Sequence, residues 1–162
     1  MFTKKNIRNY FFVAFMFASV MLNAQQVAVY KIDNLLKRIH NTSDTTYVVN
    51  FWATWCKPCV AELPEFEKLH IDYKSKKVKV ILVSMDFKEE LTKRVKPFLQ
   101  KNKYTCEVIL LDEINGNDFI NKISEQWSGA IPATLITKNN KTLFEFYEKK
   151  LTYDFLVERV KL

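Results

Sequence analysis

The chain has 162 residues, a formal net charge of +7 and 48% hydrophobic residues. It contains only two glycines, which excludes a glycine-rich loop that cradles phosphate. It has no internal repeat or low-complexity segment, and its length fits one domain. The basic charge is not accompanied by a nucleic-acid-binding motif, so we predict no nucleic-acid partner.

The N-terminus has the pattern of a secretory signal. A short basic segment is followed by an apolar run over 10–22 and by a small residue, Ala24. The run is shorter than the ~20 residues that a membrane-spanning helix needs. We therefore predict a signal peptide over 1–24 and a single domain over 25–162, exported to the periplasm. The alternative is an uncleaved anchor that holds the domain on the periplasmic side of the membrane. Those 24 residues carry three basic and no acidic residues, so the remaining charge is 7 − 3 = +4.

Predicted helices and strands alternate along the rest of the chain. Helices follow from apolar residues at three- and four-residue spacing, and strands from β-branched and aromatic runs. Helices are predicted over 31–41, 57–74, 88–102, around 119–127 and over 152–161, and strands over 46–52, 78–85, 107–111, 133–137 and 142–147. Pro64 should kink the second helix, and Pro97 conflicts with the third. The pattern predicts an α/β fold in which a mixed sheet is flanked by helices, with the last two strands forming a hairpin.

Two thiols stand where the first long strand gives way to a helix. Cys56 and Cys59 enclose Lys57 and Pro58. Because the unpaired N–H groups at a helix N-terminus favour negative charge, Cys56 should be a thiolate nucleophile suited to disulfide exchange. Cys59 is near enough in sequence to close an intramolecular disulfide. Because the closed loop is short, this disulfide would stabilise the fold only weakly, which suits a redox couple.

Half of a structural zinc site is the alternative interpretation of Cys-x-x-Cys. Such a site needs two further ligands, and Cys106, His40 and His70 do not form a second close pair. We therefore predict no metal. Cys106 opens an apolar strand pattern and is expected to be a buried small hydrophobe.

The segment around the thiols resembles the thioredoxin superfamily, and within it the exported TlpA/ResA-like thiol–disulfide oxidoreductases. The resemblance rests on Val-Asn-Phe-Trp-Ala-Thr-Trp-Cys-Lys-Pro-Cys over 49–59, Glu-Leu-Pro over 62–64 and Gly-Ala-Ile-Pro-Ala-Thr-Leu-Ile over 129–136. It extends over most of 27–162 but is specific only at these motifs. It implies a thioredoxin-like fold, and the surplus helix and strand within 88–111 fit the inserted element of this branch.

The resemblance also implies a place for proton transfer. Thioredoxin has a buried Asp at the position of Asn50, which cannot ionise here. The TlpA/ResA-like branch commonly has a Glu three residues after the second cysteine, where this chain has Glu62. One helical turn from Cys59, Glu62 could raise the pKa of that thiol and accept its proton. A solvated acid in the first turn of the helix is the other interpretation.

Further roles follow from the same resemblance. Pro132 is expected to be cis beside the cysteines, with the Ile131 backbone pairing with a substrate strand. Trp52 and Trp55 are expected to shield and shape the site, and Trp55 to contact substrate. Without the histidine of strong oxidants between its cysteines, the chain is predicted to be a reductant. It needs no cofactor beyond the Cys56–Cys59 couple.

The partners implied are cysteine-containing proteins and an upstream membrane electron donor, with the domain a monomer. Related proteins serve cell redox homeostasis and often cytochrome c maturation.

Three rival functions remain. A thiol peroxidase on the same fold needs Pro and Thr where this chain has Val49 and Ala53. A Cu(I)-binding metallochaperone would use the soft thiolates, but a histidine is expected nearby. A binding domain with a vestigial redox pair is opposed by the intact motifs.

Overall fold

The computed structural model describes residues 26–138 and 141–161. The predicted signal over 1–24 lies outside the described residues. The strands are β1 (Ala28–Tyr30), β2 (Thr46–Trp52), β3 (Val78–Ser84), β4 (Glu107–Leu111), β5 (Ala133–Lys138) and β6 (Leu143–Tyr147). The α-helices are α1 (Ile32–Ile39), α2 (Lys57–Tyr73), α3 (Lys96–Asn102), α4 (Ile120–Ile123) and α5 (Tyr153–Val160).

The strands form one mixed sheet in the order β1-β4-β3-β2-β5-β6. The first four in this order are parallel, and β5 and β6 are antiparallel to their neighbours. Trp52 pairs with Ser84, and Ser84 pairs with Leu110. The carboxyl ends of β2, β3 and β4 therefore meet at one edge of the sheet, and Cys56 follows directly from it.

The sheet separates two apolar layers because alternate side chains of a strand point to opposite faces. On one face, buried residues of α2, α3 and α5 pack against Val48, Val80 and their neighbours. On the other, residues of α1 and α4 pack against Val49 and Ile81. This arrangement confirms the predicted α/β fold with a mixed sheet flanked by helices. The inserted segment contributes β4, which lies between β1 and β3.

The helix predicted over 88–102 is divided into three parts. A 3₁₀ turn over Lys88–Glu90 and a π-helical turn over Leu91–Val95 precede α3. Pro97 lies in the first turn of α3, where the missing N–H breaks no helical hydrogen bond. Pro97 is therefore compatible with the structure, because a new helix begins at Lys96.

The helix predicted around 119–127 is wrong in length. Only Ile120–Ile123 is α-helical, after a 3₁₀ turn over Gly116–Asp118. Trp127 is buried outside the helix, with its ring centroid 4.8 Å from that of Phe51. The apolar spacing came from a cluster of aromatic rings and not from one helical face. The edge strand β1 was not predicted, because three residues are too few for a periodic signal.

Within 26–138 and 141–161, no helix combines the length and hydrophobicity that crossing a membrane requires.

Candidate active site

Cys56 and Cys59 form a disulfide at the start of α2, with their Cα atoms 5.3 Å apart. Cys56 is the N-cap residue, and its Sγ accepts a hydrogen bond of 3.3 Å from the backbone N–H of Cys59. Pro58 occupies the first turn, where its fixed φ suits the helix and no N–H is needed. The geometry therefore directs the N–H groups of a helix terminus towards the Cys56 sulfur, which favours its thiolate when the disulfide is reduced.

The two cysteines differ in accessibility. Cys56 retains 6% of its surface and Cys59 none. Lys57 and Pro58 are exposed, and Trp55 is 61% exposed immediately before Cys56. Of the two sulfur-bearing side chains, that of Cys56 alone retains exposed surface, and the exposed Trp55 precedes it in the chain.

The loop before β5 lies against the disulfide. The Ile131–Pro132 peptide bond is cis, and the carbonyl oxygen of Ile131 is 3.8 Å from Cys56 Sγ. Trp127 supports the loop by donating from Nε1 to the carbonyl oxygen of Ala130 at 2.8 Å. Ile131 and Pro132 are both half-buried, so the loop presents backbone beside the reactive sulfur.

Glu62 is fully buried on α2, one turn after Cys59. Its Oε1 accepts from Asn50 Nδ2 at 2.8 Å, and its Oε2 accepts from the backbone N–H of Leu151 at 2.7 Å. Burial raises the pKa of Glu62 to about 7, although both hydrogen bonds and the charge of Lys150 act in the opposite direction. The interpretation of Glu62 as a solvated acid is wrong, because the side chain has no exposed surface.

Asn50 joins Glu62 to the strand that follows the cis-proline. Its Nδ2 also contacts Thr134 Oγ1 at 3.1 Å and the carbonyl oxygen of Ala133 at 3.4 Å. Its Oδ1 is buried without a hydrogen-bond partner among the described residues. Asn50 therefore orients the Glu62 carboxylate and offers an acceptor that rotation of the amide would bring to a protonated Glu62.

Sequence reasoning missed Asp86, which holds the turn before Cys56. The carboxylate is 2% exposed, accepts from the Thr54 N–H at 2.9 Å and from Thr54 Oγ1 at 2.5 Å, and also accepts from Ser84 Oγ at 2.9 Å. A signal was available, since Asp86 follows the carboxyl end of β3, beside the strand that leads to Cys56. The Leu151 N–H that binds Glu62 has no such signal, because any residue other than proline could supply it.

Cys106 lies at the opposite edge of the sheet from the disulfide, at the amino end of β4. It is fully buried and donates from Sγ to Glu67 Oε2 at 3.0 Å. Burial raises the pKa of the Cys106 thiol, and both the hydrogen bond to Glu67 and the negative charge of Glu67 act in the same direction. Both its position and its protonated thiol set Cys106 apart from the Cys56–Cys59 pair.

In the described parts of the chain, no three His, Cys, Asp or Glu side chains are grouped so that they could hold a metal ion. Cys56 and Cys59 are joined to each other.

Together the sheet order, the disulfide-bonded cysteine pair at a helix N-terminus and the adjacent cis-proline loop define a protein of the thioredoxin fold. The chain belongs to the AhpC/TSA family, whose sequence profile matches residues 23–145.

The chain is also similar to curated relatives in sequence and to solved structures in fold. The chain is 29% identical over 127 residues to the thiol-disulfide oxidoreductase ResA of Oceanobacillus iheyensis, covering 78% of this chain and 61% of ResA. It is 33% identical over 63 residues to the sporulation thiol-disulfide oxidoreductase A of Bacillus subtilis, covering 39% of this chain and 38% of that protein. The crystal structure of a thioredoxin-related protein from Neisseria meningitidis superposes with a TM-score of 0.62 at 21% identity, covering 74% of this chain and 84% of that one. The matched region thus spans less than two thirds of either curated relative.

Proposed function

We propose that the protein is a thiol–disulfide oxidoreductase that reduces disulfides of protein substrates through Cys56 and Cys59. The observation that carries the proposal is the disulfide at the N-terminus of α2, with Cys56 as the accessible sulfur and the Ile131 backbone 3.8 Å from it. The names of the two curated relatives support the same chemistry.

The reaction begins with the reduced dithiol. The Cys56 thiolate attacks one sulfur of a substrate disulfide, so that a Cys56–substrate S–S bond forms and the substrate S–S bond breaks. The leaving substrate thiolate takes a proton. Cys59 then loses its proton and attacks Cys56 Sγ, which releases the second substrate thiol and closes the Cys56–Cys59 disulfide. Two electrons pass from the enzyme to the substrate, and a dithiol donor must return them.

Glu62 is the group we assign to the Cys59 proton. It is one helical turn from Cys59, fully buried, and has a pKa of about 7. A carboxyl with a pKa near the working pH can both accept and return a proton. Asn50 keeps the carboxylate oriented by its 2.8 Å hydrogen bond. Asn50 itself is neutral and serves as a positioning residue.

The Ile131–Pro132 loop and Trp55 form the proposed contact with substrate. Pro132 has no N–H, and the neighbouring Ile131 backbone can pair with an extended substrate segment. Trp55 contributes an exposed aromatic face beside Cys56. Trp52, in contrast, is fully buried and packs against Phe98 with ring centroids 5.2 Å apart, which supports a role in shaping the site.

Location, partners and direction belong to the same proposal. The signal pattern over 1–24 supports export to the periplasm or an anchor facing it, and the reductant direction supports a membrane dithiol donor upstream. Apo-cytochrome c thiols are one substrate class consistent with this direction. We also propose that the domain acts as a monomer.

A peroxidase activity is opposed by the groups around Cys56. The positions at which that chemistry needs Pro and Thr are Val49 and Ala53, and both are fully buried. The nearest hydroxyl in sequence, on Thr54, donates to the Asp86 carboxylate. It is therefore engaged in the turn and does not take the place of the missing threonine.

Insulin reduction in the presence of a dithiol tests the proposal. Cys56→Ser and Cys59→Ser should both lose turnover, and Cys59→Ser should accumulate mixed disulfides because its Cys56 adduct cannot be resolved. Cys106→Ser is the matched control and should turn over as the parent does, since that thiol lies at the other edge of the sheet. Unchanged activity in Cys56→Ser would refute the mechanism.

A further inference from the structure

We infer that a groove beside the dithiol binds an apolar side chain of the substrate polypeptide, about three residues from its reacting cysteine. The inference rests on the proposed function and adds a sequence preference to it. Among the described large apolar side chains, Ile114 is 93%, Phe87 70%, Trp55 61% and Ile71 59% exposed. The first three follow the carboxyl ends of β4, β3 and β2 respectively, so they share one edge of the sheet.

The groove lies between the segment that follows β3 and the segment that follows β4. It encloses about 310 Å³, and its lining includes Phe87 and Ile114 together with the less exposed Met85 and Leu111. Exposed apolar side chains that line a concavity have an unfavourable contact with water, which an apolar ligand group relieves.

Most charged groups of the lining are already bound within the protein, and the exposed Glu89 is the exception. Lys88 Nζ lies 3.2 Å from Asp112 Oδ2, and Lys31 Nζ lies 3.4 Å from the same oxygen. Glu113 Oε1 accepts from the backbone N–H of Ile32 at 2.8 Å. These groups therefore favour an apolar side chain over a charged one as the occupant.

The buried Asp86 is shared by the groove and by the turn before Cys56. It is one of the lining residues, and it also binds the Thr54 backbone N–H and hydroxyl two residues before Cys56. Trp55, next to Cys56, and Phe87, in the groove, are both exposed and follow the carboxyl ends of neighbouring strands, so the groove lies on the edge of the sheet at which a polypeptide is held by Cys56. The chemistry at Cys56 fixes the occupant as a segment of the disulfide-bearing substrate itself.

Strand spacing gives the distance along that segment. Cys56 follows β2, and the groove lies between the segments that follow β3 and β4, with its far wall after β4. Two strand spacings are about 10 Å, and an extended chain advances about 3.3 Å per residue. The apolar side chain should thus stand about three residues from the substrate cysteine, on the side away from the Ile131 backbone.

Two disulfide-bonded peptides test this preference. They are identical except for Leu or Ser at the third residue from the cysteine, and kcat/KM is measured for both with the full chain. Partial burial of the leucine should give the parent protein a preference of about fivefold for the Leu peptide. Phe87→Ser combined with Ile114→Ser should reduce the preference to less than about twofold, because the apolar walls are gone.

Three controls make the result specific. Ile71→Ser removes another exposed apolar side chain, 59% exposed, from α2 and should keep the preference. Phe87→Leu should also keep it, which separates lost apolar contact from disturbed folding. A small aromatic disulfide that cannot reach the groove should be reduced by the double variant at the parent rate.

Equal rates on the two peptides by the parent protein would overturn the inference, as would an equal loss of preference in Ile71→Ser. Either result would leave the proposed function intact. Failure of the parent to reduce any disulfide, including the small one, would instead overturn the proposed function.

Discussion

Replacing Glu62 by Gln tests whether a buried carboxyl on α2 is charged at neutral pH. The side chain has no exposed surface, and its pKa of about 7 lies above the ordinary value of 4.5. The folded state therefore binds a proton that the unfolded state has released between pH 4.5 and about 7. Because the folded state holds more protons in this window, stability falls as pH rises through it.

The size of the effect follows from the two pKa values. Each pH unit of difference corresponds to about 1.4 kcal/mol, so ionising buried Glu62 costs about 3 kcal/mol in total. Roughly 2.5 kcal/mol of this is lost between about pH 5 and pH 8. The Glu62→Gln variant cannot ionise at this position and should therefore lack this loss. Its amide oxygen can still accept from the Leu151 N–H, and its amide N–H can donate to Asn50 Oδ1 once that amide rotates.

Urea unfolding of the disulfide form at about pH 5 and about pH 8 measures the difference. We expect the parent to lose about 2.5 kcal/mol more than Glu62→Gln between these values. Glu125→Gln, which removes an exposed carboxylate, is the control and should retain the parental pH dependence. The other titrating groups contribute equally to the pH dependence of the parent and of the variant, so their contributions cancel in the comparison. A Glu62→Gln variant whose stability falls with pH as steeply as that of the parent would show that Glu62 is not the group responsible.

Three further substitutions test the support of the site. Asp86→Asn replaces one of the acceptor oxygens at Thr54 by a donor and should lower the free energy of unfolding in urea by about 1–3 kcal/mol. An unchanged free energy of unfolding would contradict this expectation. Trp127→Phe keeps an aromatic ring but removes the N–H that donates to Ala130; we expect a loss of about 1 kcal/mol and a lower kcat/KM for insulin, with parental values refuting a role of that bond. Leu69→Ala empties a fully buried position of α2 and should cost about 2–5 kcal/mol, so a thermal midpoint equal to the parent's would contradict the packing described.

The central strands were predictable because they are buried on both faces. The segments 46–52, 78–84 and 107–111 are nearly continuous apolar runs. The beginning and end of such a run mark the beginning and end of the strand. The region around Trp127 was not predictable in this way. Its buried rings are fixed by contacts with Phe51 and Phe146 from distant strands, and the spacing along the chain resembles a helical period by coincidence.

The candidate site shows the same division. Cys56, Cys59 and Glu62 lie within seven consecutive residues, so the sequence places them on one helix start without knowledge of the fold. Asp86 and Leu151 reach the site only because β3 lies beside β2 and the segment before α5 lies beside α2. Their contribution depends on tertiary contacts, which a local pattern does not contain.

Burial supplies the physical basis for the proton-transfer role that we propose for Glu62. An exposed Glu is almost fully ionised at neutral pH and holds too few protons to return one. Enclosure in the protein interior brings the pKa of Glu62 to about 7, although the hydrogen bonds from Asn50 and Leu151 to the carboxylate act in the opposite direction. The same enclosure destabilises the fold above neutral pH. The free energy that Glu62 costs the fold and the proton exchange with Cys59 that we propose for it thus have one physical origin.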